Sequence, residues 1–182
     1  MNPVEVDGIL QTMRIAVDTR EQDTDDSRKR YESFGVPWER KKLNFGDYSA
    51  IFKIGDEDRC IEEKVVVERK MSADELAMCF TSERKRFQRE FERAAAAGAR
   101  TYLLVEGTNL DKIINHDYRS RFSPNAFIAS LTAWCARYNL IPVFCSKRNS
   151  GRMIAEILRR EAKEIFEREG ETDGGKIDVH QD

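Results

Sequence analysis

Few of the residues that mark zinc, disulfide or membrane proteins occur in this sequence. Histidine occurs only at His116 and His180, and the four cysteines show no Cys-x-x-Cys spacing, so a zinc site is not expected. No apolar run approaches the ~20 residues that cross a bilayer. The first residues carry no basic segment followed by an apolar block, so we expect neither a secretory signal nor a membrane partner.

The cysteines indicate a reducing compartment. Cys60, Cys79, Cys135 and Cys145 each lie in or beside an apolar stretch, which is typical of reduced thiols rather than of a disulfide framework. We therefore expect a cytoplasmic protein, associated with the nucleoid in a bacterium or phage and nuclear in a eukaryote.

Charge, by contrast, is abundant. Charged residues make up 35% and apolar residues 40% of the 182-residue chain, which suits one globular domain with a charge-dense surface. The net charge of −2 argues against a uniformly basic nucleic-acid binder but allows separate basic and acidic patches.

Hydrophobic periodicity, capping signals and turn residues predict strands that alternate with helices. The predicted strands cover residues 14–18, 38–43, 48–54, 60–68, 101–105 and 141–145. The predicted helices cover residues 23–34, 73–97 with an interruption near Thr81, 123–138 and 150–169. A three-stranded meander followed by βαβα units indicates an α/β fold, with a mixed central sheet of about five to six strands flanked by helices. We expect residues 1–13 to be an N-terminal extension, 14–169 one domain and 170–182 a disordered tail with little to bury.

The stretch from Val65 to Lys70 carries the strongest single indication of chemistry. Three valines predict a buried strand, and Glu68, Arg69 and Lys70 follow at its end. Because side chains alternate along a strand, Glu68 and Lys70 share one face and Arg69 lies on the other. A carboxylate that binds a hard cation, beside an amine that stabilises phosphate charge, suits metal-assisted phosphoryl chemistry. Taken alone, the stretch is more often a strand that runs into a solvated turn.

Further acids lie at predicted strand ends and turns. Asp18 and Glu21 follow the first strand, Asp47 precedes the third, and Asp74 opens the helix after Lys70. If the first strand lies beside the meander, Asp18, Asp47 and Glu68 converge at one sheet edge, where a divalent cation would neutralise their repulsion. Each acid also has a simpler explanation, since an acid is common in a turn such as that of Asp47 and is favoured in a first helical turn such as that of Asp74.

Taken together, three segments resemble the signature of the XPF/Hef-type nuclease family. They are residues 17–21 (Val-Asp-Thr-Arg-Glu), 46–48 (Gly-Asp-Tyr) and 67–74 (Val-Glu-Arg-Lys-Met-Ser-Ala-Asp). The family carries D-x-R-E, G-D-[YF] and E-R-K-x-x-x-D in this order. Arg86-Phe87 with Glu90 resembles the basic helix that follows, and the resemblance spans residues 14–145. It implies a restriction-endonuclease-like core and metal-dependent hydrolysis of DNA, usually at branched or flapped structures, in DNA repair or recombination.

Carried over position by position, the resemblance implies a catalytic set of Asp18, Arg20, Asp47, Glu68, Arg69 and Lys70. Its three acids would hold Mg²⁺ or Mn²⁺, with Asp18 completing the cluster of Asp47 and Glu68. Lys70 would orient the attacking water or stabilise charge on the phosphate. The two arginines would position phosphate or support the acids, and Glu21 and Asp74 would be accessory.

Basic residues outside these motifs are candidates for contacts with DNA phosphates. They are Arg84, Lys85, Arg86, Arg89, Arg119, Arg121, Lys147, Arg148 and Arg152. The first four lie on one helix, where a solvated face of ion pairs with Glu83 and Glu90 is the alternative. The others lie near predicted helix starts, which favour phosphate. Such contacts give affinity and salt dependence rather than sequence readout.

The sequence departs from better-known members of the family in the segments that surround the nuclease domain. We see no C-terminal helix-hairpin-helix pair and no preceding helicase domain, so we expect a stand-alone nuclease or one that works with a partner subunit. Because the family commonly dimerises through the nuclease domain, we also expect a homodimer. Two alternatives stay open: a non-catalytic DNA-binding or scaffold subunit, and an enzyme of this fold that acts on RNA or another phosphodiester.

Overall fold

A computed structural model describes residues 2–174, which form one mixed sheet with helices on both faces. Its strands are β1 Arg14–Val17, β2 Trp38–Arg40, β3 Tyr48–Ile54, β4 Glu57–Cys60, β5 Val65–Lys70, β6 Arg100–Glu106 and β7 Leu140–Cys145. Its helices are α1 Pro3–Gln11, α2 Asp25–Glu32, α3 Ala73–Phe80, α4 Arg84–Ala96, α5 Leu110–Ile114, α6 Pro124–Tyr138 and α7 Ser150–Gly174, with a short 3₁₀ turn at Lys147–Asn149. None of these helices is long and apolar enough to cross a membrane.

The sheet order is β2-β1-β3-β5-β6-β7, with β4 paired to β3. Strands β5, β6 and β7 run parallel, whereas β3 is antiparallel to β1, β4 and β5. The predicted α/β class is thus confirmed. In this part of the chain the sheet has seven strands, because the strand predicted over residues 60–68 is interrupted: Cys60 ends β4, which begins at Glu57, and β5 begins only at Val65. The chain turns at Ile61, whose carbonyl accepts from the N–H groups of Lys64 and Val65 at 2.9 Å, and this turn separates β4 from β5.

The two sides of the sheet bury separate hydrophobic clusters. On one side, α1, α2 and α7 pack on Val65 and Val67 of β5, with an edge-to-face contact of Phe52 and Phe166 at 5.1 Å between ring centroids. On the other side, α3, α4 and α6 bury an aromatic cluster around Trp134. The alternation along β5 therefore directs Arg69 toward the α2 side and Glu68 and Lys70 toward the α4 side.

Several element boundaries differ from the predicted ones for local reasons. Residues 3–11 of the expected extension form α1, which begins with a capping box between Asn2 and Glu5 and packs on α7. The interruption expected near Thr81 is real, since Thr81 ends α3 and α4 begins at Arg84. Helix α7 continues to Gly174, so the first residues of the predicted tail are helical, and residues 175–182 lie outside the described residues.

The four cysteines are free thiols, as the sequence predicts. Cys79 is buried beside Lys70, and burial raises the pKa of its thiol to about 12. Burial also raises the pKa of Cys60, Cys135 and Cys145. Thiols with raised pKa values are poor nucleophiles at neutral pH, so these residues serve packing rather than chemistry.

Candidate active site

Strand pairing brings the three signature segments side by side. Val17 of β1 lies opposite Tyr48 of β3, and Tyr48 lies opposite Val67 of β5. Beyond these pairs, the Asp18 N–H donates to the Asp47 carbonyl at 2.8 Å, and the Asp47 N–H donates to the Val67 carbonyl at 2.9 Å. The backbone therefore holds Asp18, Asp47 and the start of Glu68 in one continuous row.

Gly46 allows this close approach. Its φ is +72°, a left-handed value that favours glycine, and a Cβ at this position would lie 2.8 Å from Cβ of Val66. The turn thus places Asp47 directly against β5, where its Oδ2 accepts from the Arg69 N–H at 2.8 Å. A glycine before the aspartate is required by space as well as by backbone conformation.

Glu68 and Lys70 form a buried pair on the α4 side of β5. Both residues are 3% exposed, and Lys70 Nζ donates to Glu68 Oε1. Burial works against the charge of Lys70, but the Glu68 carboxylate outweighs it and raises the pKa of the lysine, which stays protonated. Burial raises the pKa of Glu68, and Lys70 opposes that rise. The other carboxylate oxygen, Glu68 Oε2, is buried with no hydrogen-bond partner among the described residues.

Asp47 and Glu68 oppose each other electrostatically. Burial, followed by the charge of Glu68, raises the pKa of Asp47 to about 8. Two neighbouring carboxylates and a buried oxygen that lacks a partner suit a hard divalent cation. Mg²⁺ is such a cation, and proteins usually bind it through one or two carboxylates plus waters. Over residues 2–174, no group of three or more His, Cys, Asp or Glu side chains is arranged to hold a metal. The two carboxylates that lie close enough to oppose each other are Asp47 and Glu68.

Asp18, the third acid of the expected cluster, uses both oxygens of its carboxylate for contacts within the protein. Its Oδ1 accepts from the backbone N–H and Nε of Arg20 at 2.7 and 2.6 Å, and its Oδ2 accepts from the Leu43 N–H at 2.7 Å. Burial favours the neutral form, but these hydrogen bonds outweigh it and lower the pKa of Asp18. With both oxygens engaged, Asp18 anchors the loop that carries Arg20, and its contacts do not support the predicted role as a metal ligand.

The carboxylate pair opens into a cleft of about 590 Å³, which we call the catalytic cleft. It is lined by Arg20, Gln22, Asp47, Glu68, Arg69, Lys70, Glu75, Arg86, Arg89, Glu90 and Arg93. Helix α4 thus faces the acids with a row of arginines. Glu90, expected to pair along its own helix, instead accepts from the Gly46 N–H at 3.2 Å. Arg86 keeps a helical ion pair with Glu83 at 3.3 Å.

Asp74 holds a loop rather than the catalytic cleft. Its Oδ1 accepts from the N–H groups of Arg119 and Ser120 at 2.9 and 2.6 Å. The neighbouring Glu75 lines the cleft instead, and its Oε2 accepts from the Met71 N–H at 2.6 Å. Sequence reasoning assigned Glu75 only to a capping box, and the spacing of that box gave no sign of a second role.

Arg69 belongs to a buried ionic network on the opposite side of β5. The network comprises Glu21, Arg30, Tyr48, Arg69 and Glu106. Arg30 donates to Glu106 at 3.2 Å, to Glu21 at 3.1 Å and to the Tyr48 hydroxyl at 3.1 Å. Arg69 donates to Glu106 at 3.2 Å and to Glu21 at 3.4 Å. Sequence reasoning missed Arg30 and Glu106, although an acid at the end of a buried strand, such as Glu106, needs a partner.

The remaining basic candidates divide among several surfaces. Arg119 and Lys147 line a second cleft of about 470 Å³ that shares Gln22, Arg69 and Glu75 with the catalytic cleft. Lys147 and Arg148 line a third, of about 520 Å³, and Lys147 pairs with Asp26. On α4, the Cζ atom of Arg84 lies 5.9 Å from the centre of the Trp134 ring. Lys85, Arg121 and Arg152 are exposed.

A mixed sheet between two helical layers, with a Gly-Asp turn beside a Glu-x-Lys strand end, defines a restriction-endonuclease-like α/β domain. The family model of the ERCC4 domain matches residues 17–157, and the chain belongs to that family. This confirms the resemblance to XPF/Hef-type nucleases.

Two solved structures of XPF from Aeropyrum pernix share the fold. The first has a TM-score of 0.56 at 24% identity, and the match covers 93% of this chain and 67% of that chain. The second, a complex with DNA, has a TM-score of 0.58 at 24% identity, over 84% of this chain and 66% of that chain. This chain thus spans about two thirds of their length. A search of curated proteins found no match.

Proposed function

We propose that this protein is a divalent-metal-dependent DNA endonuclease that hydrolyses phosphodiester bonds. The observation that carries the proposal is the pair of half-buried Asp47 and buried Glu68 beside the Lys70 ammonium group. The raised pKa of Asp47 and the lack of any partner in residues 2–174 for Glu68 Oε2 support the binding of a divalent cation at these acids. Membership in the ERCC4 domain family supports the same chemistry.

Asp47 and Glu68 would hold Mg²⁺ or Mn²⁺, with water completing the coordination. When bound, the cation supplies Lewis-acid activation of the scissile phosphate and of the attacking water. The protein residues supply the rest of the environment. Lys70 holds a fixed positive charge at the floor of the catalytic cleft, where negative charge grows as water attacks phosphorus. Glu68 Oε1 keeps that ammonium group in place.

The walls of the catalytic cleft suit a phosphate backbone. Arg86, Arg89 and Arg93 of α4 face the acids, and Arg20 lies across from them at the loop anchored by Asp18. Charges of this kind grip phosphates without reading bases, so binding depends on DNA structure and on salt. The XPF from Aeropyrum pernix solved with DNA supports DNA as the ligand of this fold.

We further propose that the substrate is branched, with a flap, fork or single-strand/duplex junction. The second cleft adjoins the catalytic cleft at Arg69 and carries Arg119 and Lys147 on its walls. Two adjoining clefts can receive two arms of one junction, with Arg119 and Lys147 as the proposed phosphate contacts in the second, whose walls also carry acids. A homodimer or a partner subunit would extend this surface, and DNA repair or recombination is the setting in which such junctions arise.

The test is a panel of flap, fork and linear DNA, with the same structures in RNA, assayed with Mg²⁺, with Mn²⁺ and with EDTA. We expect metal-dependent cleavage of branched DNA, and we expect Asp47→Ala and Glu68→Ala to slow it on the order of a hundredfold or more. Asp56→Ala is the matched control, because Asp56 is an exposed acid beyond the far end of β3.

Three results would overturn the proposal in different ways. Cleavage by Asp47→Ala and Glu68→Ala at the parent rate would show that the assigned site is wrong. Tight DNA binding without cleavage of any substrate in either metal would assign the chain to the scaffold class. Preferential cleavage of the RNA arm would keep the site and change the substrate.

A further inference from the structure

Lys70 touches an aromatic ring as well as a carboxylate. Its Nζ lies 4.0 Å from the centre of the Phe87 ring, which α4 supplies. Phe87 is 4% exposed and Lys70 is 3% exposed, so water is largely excluded from the contact. A desolvated ammonium group over an aromatic face is held by the ring quadrupole, and this attraction is stronger than at an exposed site.

The ring supplies a restraint that Glu68 alone does not. A lysine side chain has a flexible four-carbon stem, and one ion pair leaves its Nζ free to move around the carboxylate. The ring restrains Nζ from a second direction, and α4 holds the ring rigidly in the core. One helical turn further, Glu90 accepts from the Gly46 N–H at 3.2 Å, so α4 contacts both halves of the site.

Phe91 shows that ordinary packing does not require this contact. It lies one turn beyond Phe87 on the same helix and is 2% exposed. Its ring packs at 5.5 Å from Trp134 and 6.2 Å from Tyr138, measured between centroids. Within the described part of the chain, no Lys or Arg lies over the Phe91 ring. The two phenylalanines therefore share burial and element and differ in the cations over their rings, which at Phe87 are Lys70 and also Arg86, whose Cζ lies 4.6 Å from the ring centre.

We propose that Phe87 is a positioning residue that fixes Lys70 for catalysis through the face of its ring. This rests on the proposed nuclease function, because it assigns to Phe87 a part in that reaction. The ring does not touch the substrate or the reacting atoms. It restrains the ammonium group that stabilises the phosphate in the transition state.

The test replaces Phe87 by phenylalanines with one, two and three ring fluorines, which weaken the ring quadrupole and leave shape nearly unchanged. The readouts are the single-turnover rate of metal-dependent DNA cleavage, the DNA dissociation constant and the unfolding midpoint. We expect the rate to fall stepwise, reaching about tenfold with three fluorines, while DNA affinity stays constant and the unfolding midpoint falls slightly with the weakened attraction but leaves the protein folded at the assay temperature. The same series at Phe91 is the matched control and should leave the rate unchanged. Because Arg86 also lies over the Phe87 ring, the Phe87 series is repeated with Arg86→Gln, where the stepwise fall should persist if it acts through Lys70.

Phe87→Leu gives a second measure, since it keeps an apolar side chain and removes the ring face. We expect a rate loss at least equal to that of the trifluoro variant, with Glu68→Ala as the reference for a dead site. A rate independent of fluorination at Phe87, in a protein whose Glu68→Ala variant is inactive, would overturn the positioning role and leave the nuclease function intact. Equal rates for the parent and Glu68→Ala would instead remove the nuclease function itself.

Discussion

The charged side chains on the two faces of β5 have contrasting environments. On the α4 side, Glu68 and Lys70 pair with each other beside Asp47, and the carboxylates there carry raised pKa values. On the α2 side, Arg69 joins a network in which each of two arginines contacts both Glu21 and Glu106. Three consecutive residues thus supply a face that carries the proposed catalytic pair, the reactive face, and a structural face. The lesson is that alternation along one strand lets both terminal nitrogens of Arg69 pair with acids on one face, while Glu68 Oε2 on the other has no partner among the described residues.

The largest effect is expected from a substitution that breaks the ionic network on the structural face. Glu106→Ala leaves Arg30 and Arg69 buried with only Glu21 between them, and an uncompensated buried charge costs about 3–5 kcal/mol. We expect a loss of this size in the free energy of unfolding, measured by denaturant titration. Glu63→Ala removes an exposed acid just before β5 and should change stability by less than about 0.5 kcal/mol. A small loss for Glu106→Ala would mean that the network does not stabilise the fold.

A substitution on the reactive face should have the reverse effect, lowering activity without lowering stability. A carboxyl whose pKa is raised on folding destabilises the folded state as pH rises above its ordinary value near 4. The pKa of Asp47 is raised to about 8, so Asp47→Asn should stabilise the metal-free protein, increasingly so from pH 4 to pH 8. We expect up to about 1 kcal/mol at pH 7 by urea titration in EDTA, together with a cleavage rate lower by on the order of a hundredfold.

Addition of Mg²⁺ sharpens the same comparison. A ligand that binds only the folded protein raises its stability, so Mg²⁺ should raise the unfolding midpoint of the parent and not that of Asp47→Asn. An equal rise in both proteins would show that the cation binds elsewhere.

A smaller effect is expected at Asp18, which borders both faces. The pKa of Asp18 is lowered, because hydrogen bonds from Arg20 and Leu43 outweigh burial. Its stabilisation is therefore complete above its ordinary pKa near 4 and is lost as pH falls through the lowered value. Asp18→Asn places a donor against these N–H groups and should cost about 1–3 kcal/mol at pH 7. The difference from the parent should shrink at pH 3, and a constant difference would show that the charge is irrelevant.

The smallest effect concerns single arginines of the catalytic cleft. Arg89 lines the cleft, whereas Lys85, four residues earlier on α4, is exposed and does not. We expect Arg89→Ala to weaken DNA binding and to reduce the slope of log affinity against log salt by about 1, as for one lost phosphate contact. Lys85→Ala should leave the slope unchanged in fluorescence anisotropy titrations. Equal slopes for both variants would remove Arg89 from the set of phosphate contacts.

The parts of the molecule that follow from local patterns were predictable from the sequence. The valine strand, the Gly-Asp turn and the Glu-x-Lys spacing each depend on neighbouring residues, and together they indicated Asp47, Glu68 and Lys70. The split of residues 57–68 into β4 and β5 depends on pairing choices of β3, which no local pattern encodes. The interruption near Thr81 was visible because Thr-Ser breaks a helical stripe.

The rest of the site depends on contacts between distant segments. Arg30 and Glu106 are 76 residues apart in sequence, and they meet only because α2 packs against the end of β6. The carboxylate of Asp18 accepts from the N–H of Leu43, 25 residues away, so its local motif could not show that both oxygens are engaged. Phe87 lay in a stripe that correctly indicated a buried helix face, whereas Glu90 was assigned to ion pairs along the same helix. Their contacts with Lys70 and Gly46 follow from how α4 docks on β5.

The contact of Gly46 with Val66 also gives a way to read related sequences. A Cβ at position 46 would lie 2.8 Å from Cβ of Val66, so a single methyl group there forces the Gly-Asp turn away from β5. A side chain at position 46 would therefore shift Asp47 relative to Glu68. If the two acids share a cation as proposed, we expect relatives that keep both acids but lack this glycine to have lost metal-dependent cleavage.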